Sequence, residues 1–154
     1  MVTDPLDQPA TGRIVDGEHR FAVRVYFEDT DAGGVVYHAS YLRFMERARS
    51  DMLRLAGIDQ RGAMEGGIGG YVVAEIAIRY RRPGKLDDAL RIDSRIVGTR
   101  VTSGLIQQRV MRGEELVADA DVTVVFVGSD GRPKRQPADW IEAFARLQGE
   151  TGPT

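Results

Sequence analysis

Residues 23–49 read VRVYFEDTDAGGVVYHASYLRFMERAR, and the spacing of the apolar residues changes within this one stretch. Upstream of the acids the chain alternates. In RFAVRVYF (20–27), Phe21, Val23, Val25 and Phe27 share one side, and Ala22, Arg24 and Tyr26 the other. That is the period of a half-buried strand. Downstream of His38 the period lengthens. Tyr41, Met45, Ala48, Met52 and Leu55 follow one another at steps of four, three, four and three, which makes one stripe of an α-helix. Arg43, Arg47, Asp51 and Arg54 face away from that stripe, and Gly57 is a natural stop. The spacing predicts a long helix within 39–59, laid against a sheet.

The rest of the chain supplies that sheet. RGAMEGGIGG (61–70) is rich in glycine and reads as a mobile loop. YVVAEIAIRY (71–80) puts Val72, Ala74, Ile76 and Ile78 on one side. LRIDSRIV (90–97) alternates Leu90, Ile92 and Ile96 against Arg91, Asp93 and Arg95. GLIQQRVM (104–111) and LVADADVTVVFV (116–127) flank RGEE, a hairpin turn. ADWIEAFARL (138–147) carries Trp140, Ile141, Phe144 and Leu147 on one helical face. Most connections between the later strands are too short for a parallel crossover. The expected class is therefore α+β, an antiparallel five-stranded sheet with one long helix on a face and a short C-terminal helix. Residues 1–18 read as a flexible leader, 19–147 as a single domain and 148–154 as a flexible tail.

The chain of 154 residues is long enough for one core and short for two. A net charge of −2 leaves no basic footprint for nucleic acid. With no cysteine and two histidines far apart in sequence, neither a disulfide framework nor a metal-ligand constellation stands out. The lack of cysteine fits a reducing compartment. No apolar run approaches the roughly 18 residues a membrane span needs. The N-terminus carries acids and prolines rather than a basic-then-apolar layout, so no signal peptide is read and a cytoplasmic location is the default.

EDTDAGG admits two readings. Asp, Thr and Gly are turn formers, and an acid before a helix caps it or favours its positive end. On spacing alone this structural reading leads. Against it, Glu28, Asp29 and Asp31 crowd into four positions, and GVVYH is apolar enough to be buried. An acid beside such a segment is partly desolvated, which strengthens a carboxylate as a base. The unpaired N–H groups at the helix start, near His38, form a ready site for an oxyanion. A carboxylate, a histidine and oxyanion donors in one short stretch suit acyl-group chemistry.

The stretch 23–49 also resembles the signature of the 4-hydroxybenzoyl-CoA thioesterase-like hotdog family, and is most similar to its Tol–Pal-associated acyl-CoA thioesterase branch. The resemblance continues more weakly through RYRRPGKLDDAL (79–90) to about residue 127. It implies a long central helix wrapped by a curved five-stranded antiparallel sheet. It implies bacterial homodimers joined edge to edge, often paired into tetramers, with active sites at the dimer interface. It implies acyl-CoA as the substrate, coenzyme A being part of that substrate and no cofactor being needed. Asp31 falls on the family's catalytic carboxylate, either nucleophile or activator of water. His38 matches a histidine common in this branch, its N–H polarising the thioester carbonyl. Related members often carry tyrosine where this chain has Phe27, a departure that strand alternation does not allow Tyr26 to repair. The same residue types would also serve a hotdog hydratase or dehydratase. A module that docks acyl carrier protein or a cell-envelope partner is a third expectation.

Around this pair, Asp29 is expected to hold the turn. Glu46 is expected to pair with Arg43 or Arg49 and fix the loop. Gly34, Val36, Tyr37 and Tyr41 are expected to line the pocket. Arg82 and Arg100, with Arg79, Arg81 and Lys85, are candidates for the phosphates of coenzyme A. His19 reads as a solvated residue ahead of the first strand.

Overall fold

The computed structural model describes residues 4–149. The expected tail therefore lies partly outside the described residues, at 150–154. The elements run β1 (Arg13–Val15), β2 (Glu18–Arg24), α1 (His38–Leu55), α2 (Gln60–Glu65), β3 (Gly70–Tyr80), β4 (Ala89–Thr99), β5 (Ser103–Arg112), β6 (Glu115–Val127) and α3 (Ala138–Leu147). The strands form one sheet in the order β1-β2-β4-β5-β6-β3, and every neighbouring pair is antiparallel. The α+β class stands. The count among the described residues is six strands rather than five, because residues 13–15, expected as leader, pair with β2.

The long helix lies where the stripe puts it. Tyr41, Phe44, Met45, Ala48 and Met52 are buried against Leu90, Ile92, Ile106, Val110, Ala120 and Val122 of the sheet. Complete burial of side chains such as Phe44 and Met45 stabilises the fold by about 1.5–3 kcal/mol each. Leu55 departs from the stripe and is 41% exposed, while Leu53 is buried.

Four further expectations change. Asp51, placed on the outer face of α1, is buried, as is His19. The β1–β2 hairpin folds over that side of the helix. His19 Nε2 donates to Asp51 Oδ2 at 2.7 Å, and the Gly12 N–H donates to the same oxygen at 2.8 Å. The hairpin turn is Asp16-Gly17, both residues at positive φ, the two-residue turn that suits the twist of paired strands.

RGAMEGGIGG is helical in its first half. The Asp59 side chain accepts the Gly62 N–H at 3.0 Å and caps α2, and Ala63 is buried. A cap and one buried contact override the weak helix propensity of Gly62.

In β3 the register shifts between Val73 and Glu75. This bulge flips the alternation, so Val72 and Ala74 turn outward while Ile76 and Ile78 pack against the core. Among the described residues β3 pairs with β6 alone and leaves its other edge open, with Val72 and Val73 both exposed.

Candidate active site

Strand β2 ends at Arg24, earlier than alternation predicts. The Asp29 carboxylate accepts the Tyr26 N–H at 2.9 Å and closes a single 3-10 turn over Phe27–Asp29. Phe27 is 82% exposed. It belongs to no sheet face, so the opposition of faces expected between Phe27 and Tyr26 does not apply.

Asp31 begins a second, tighter turn. Its Oδ1 accepts the Gly33 N–H at 2.8 Å and the Val35 N–H at 3.4 Å. Its own N–H donates to the Val35 carbonyl at 2.8 Å, and the Gly34 N–H donates back to the Asp31 carbonyl at 3.1 Å. Gly34 has φ +81°, a conformation a side chain rarely adopts. One carboxylate oxygen thus holds the turn, and Oδ2 has no hydrogen-bond donor among the described residues. The expectation of a desolvated acid is not met in the single chain. Asp31 and Gly34 are exposed, Tyr37 is 47% exposed, and Val36 is the buried member of VVY. The loop is left largely open to solvent among the described residues.

The same bonds fix the start of α1. The Val36 N–H donates to the Gly84 carbonyl at 2.8 Å, and the Tyr37 N–H to the Asp29 carbonyl at 2.9 Å. Ser40 Oγ donates to that same Asp29 carbonyl at 3.0 Å. Tyr41 is buried, which pushes its phenol up, and its oxygen accepts the Gly84 N–H at 2.9 Å. A Cβ on Gly84 would lie 2.9 Å from Val36 and 3.0 Å from the Tyr41 oxygen, so no side chain fits there. The Tyr80 hydroxyl donates to the His38 carbonyl at 3.0 Å. The N–H groups of His38 and Ala39 find no acceptor among the described residues, as the first turn of a helix dictates. The exposed His38 ring rests beside Tyr37 at 4.4 Å and edge-on to Tyr80 at 6.4 Å.

The remaining candidates lie elsewhere. Arg82 Nη1 pairs with Glu115 at 3.2 Å. Arg79 pairs with Asp119 and Asp121, and Arg81 with Asp119. Arg100 is exposed at the β4–β5 turn, its main-chain N–H bonded to the Ser103 carbonyl at 2.8 Å. Glu46 is two turns into α1, about 12 Å along the axis from His38. It is exposed and makes no ion pair or hydrogen bond among the described residues. It lines a cavity of about 400 Å³ instead, bounded by the later turns of α1, the start of β3, and α3. Apolar side chains, among them Met52, Leu53, Ile106, Val124 and Phe144, form most of its wall. Within one chain this cavity and the Asp31 turn are separate.

Sequence reasoning missed Tyr80, Gly84 and the cavity. Tyr80 and Gly84 both lie in RYRRPGK, which draws attention for its charges. An aromatic between arginines and a Pro-Gly pair were the available signals.

Residues 25–147 match the model of the thioesterase-like superfamily. The acyl-CoA thioester hydrolase YbgC of Escherichia coli O6:H1 is 47% identical over 127 residues, covering 81% of this chain and 94% of that protein. The acyl-CoA thioesterase YbgC of Haemophilus influenzae is 42% identical over 136 residues, covering 88% of this chain and all of that protein. Among solved structures, a probable thioesterase from Bartonella henselae superposes with a TM-score of 0.74 at 35% identity, over 78% of this chain and 99% of that one. The chain belongs to the thioesterase-like superfamily of hotdog enzymes. The Escherichia coli and Haemophilus influenzae relatives fall in the YbgC branch of that family, the one that residues 23–49 resemble.

Proposed function

We propose that the protein hydrolyses acyl-CoA thioesters, with Asp31 as nucleophile or general base. The observation that carries this reading is an exposed carboxylate on a tight turn whose other end opens into the unpaired N-terminus of α1. Attack on the thioester carbon, by Asp31 itself or by a water it deprotonates, puts negative charge on the carbonyl oxygen. The N–H groups of His38 and Ala39 are the donors available to that oxygen. The C–S bond then breaks, and the thiolate of coenzyme A leaves and takes up a proton. In the nucleophilic route water next cleaves the acyl-Asp31 anhydride. A thioester suits this modest machinery because its carbonyl is electrophilic and its leaving group is a stable thiolate. The names of the relatives support the substrate class.

The separation of turn and cavity is resolved by a second copy. An open edge strand invites pairing, and a two-fold axis makes such a pairing antiparallel. Centred near Glu75, it sets Tyr80 of one protomer opposite Gly70 of the other. Tyr80 holds the helix start, and Tyr71, Val72 and Val73 border the cavity. The Asp31 turn of each copy then faces its partner's cavity, which shields the carboxylate left open in the monomer. Gly34 and Tyr37 form the near wall with Val36 and Tyr41 buried behind them, and Arg82 and Arg100 meet the phosphates of coenzyme A. A bacterial cytoplasmic dimer or tetramer with a Tol–Pal association is part of this reading, as is acyl carrier protein as an alternative thiol carrier.

Release of free thiol from a panel of acyl-CoA and acyl-carrier-protein thioesters tests the proposal. Turnover of at least one acyl-CoA is the expected result. A purified dimer that hydrolyses none of them contradicts it.

A further inference from the structure

The cavity holds one feature that an alkyl chain does not explain. Arg49 lies on its wall, partly buried, one turn beyond Glu46. Burial pulls its guanidinium below the ordinary range, and the charge of Glu46 partly restores it. Its one hydrogen bond among the described residues runs from Nη1 to Gln108 Oε1 at 2.8 Å. Gln108 is wholly buried, and its amide nitrogen is already committed to the Met45 carbonyl at 3.0 Å and Ser94 Oγ at 2.9 Å. Gln108 therefore holds Arg49 in place but supplies no charge.

Among the described arginines that contact no carboxylate, Arg49 alone is partly buried, and the rest are exposed. Arg79, Arg81, Arg82, Arg91, Arg109 and Arg112 each contact a carboxylate. Arg49 contacts none among the described residues, although it is the one whose burial makes a missing counter-ion costly. A guanidinium carries five donors in a planar fork that matches a carboxylate with two parallel bonds. Here most of that fork is unspent beside an apolar space large enough for an acyl group. Glu46 stands on the same wall, but it is exposed to solvent that screens its repulsion of an entering anion.

We propose that the cavity selects acyl groups bearing a distal carboxylate, that is, the mono-CoA thioesters of dicarboxylic acids, and that Arg49 binds that carboxylate while Met52, Leu53 and Ile106 pack the methylenes between. This rests on the thioesterase reading for its substrate class, so its test is made independent of turnover. Thioethers of coenzyme A cannot be hydrolysed. Matched alkyl and ω-carboxyalkyl thioethers, from propyl to octyl, are titrated into the intact protein by calorimetry.

A charge-assisted bond of this kind is worth on the order of tenfold or more in affinity. At one or more chain lengths the carboxyalkyl compound is expected to bind tighter by that factor. Arg49→Met is expected to remove or invert the preference while retaining the alkyl compound, and Arg49→Lys to keep part of it. Equal affinities in the unaltered protein at every length overturn the proposal, and so does a preference that survives Arg49→Met. If no acyl-CoA is hydrolysed yet the preference is present, the reaction assignment fails and the binding site stands. If hydrolysis occurs with no preference, the reverse holds.

Discussion

Asp31→Asn is expected to lower kcat for acyl-CoA hydrolysis by about 10²–10⁴, the range for loss of a positioned base or nucleophile. The substitution is chosen because it separates chemistry from architecture. Oδ1 of Asp31 accepts two main-chain N–H groups, and an asparagine oxygen can accept the same two. The turn should persist, with a melting temperature close to that of the unaltered protein. What is lost is the charge on Oδ2, which has no hydrogen-bond donor among the described residues and is the atom proposed to attack or take a proton. KM should change little, because the carboxylate contributes to the transition state rather than to binding of coenzyme A. Wild-type kcat in a folded Asp31→Asn protein would show that the reaction uses another group.

The largest stability effect is expected far from that turn. Asp51 Oδ2 receives both the His19 ring and the Gly12 N–H in the interior. His19 Nδ1 has no partner, so the bond to Asp51 is the ring's one polar contact among the described residues. Asp51→Ala leaves a buried ring nitrogen and a main-chain N–H unsatisfied, at a cost of about 2–4 kcal/mol. For a domain of this size each kcal/mol lowers the melting temperature by about 2–4 °C, so a drop near 10 °C is expected. Asp51→Asn retains an acceptor and should lose less. Thermal unfolding followed by circular dichroism measures both. An unchanged melting temperature for Asp51→Ala would mean that the hairpin is held by its sheet pairing alone.

This His19–Asp51 contact also shows where sequence reading stops. The stripe from Tyr41 to Met52, the β5–β6 hairpin and the bounds of α3 were legible because each rests on local periodicity or local turn chemistry. Asp51 read as solvent-facing because a helical wheel does not know what crosses its far side. The VDGE turn that folds β1 across α1 was in view, but within a stretch taken for a leader. The bulge in β3 was invisible for a related reason. A single extra residue inverts the faces of a strand, and no residue of YVVAEIAIRY marks it. At the site, the turn, the acid and the helix start were legible together because they are neighbours in sequence. Tyr80 and Gly84, which brace that helix start from about 40 residues away, come together with it through the order of strands. The cavity is more remote still, since the link to Asp31 proposed for it runs through a second copy of the chain.

That link is the centre of the account, and complementation between two inactive variants tests it most directly. Ser50 lines the cavity from α1, so Ser50→Trp should fill the space without touching the Asp31 turn. Asp31→Asn and Ser50→Trp chains, co-expressed with different tags and purified as mixed dimers, are assayed for thiol release. In such a dimer one of the two symmetry-related sites combines an intact Asp31 with an intact partner cavity. The expected result is that mixed dimers recover about half the activity of the unaltered enzyme while each parent dimer stays inactive. Mixed dimers no more active than their parents would contradict the shared site.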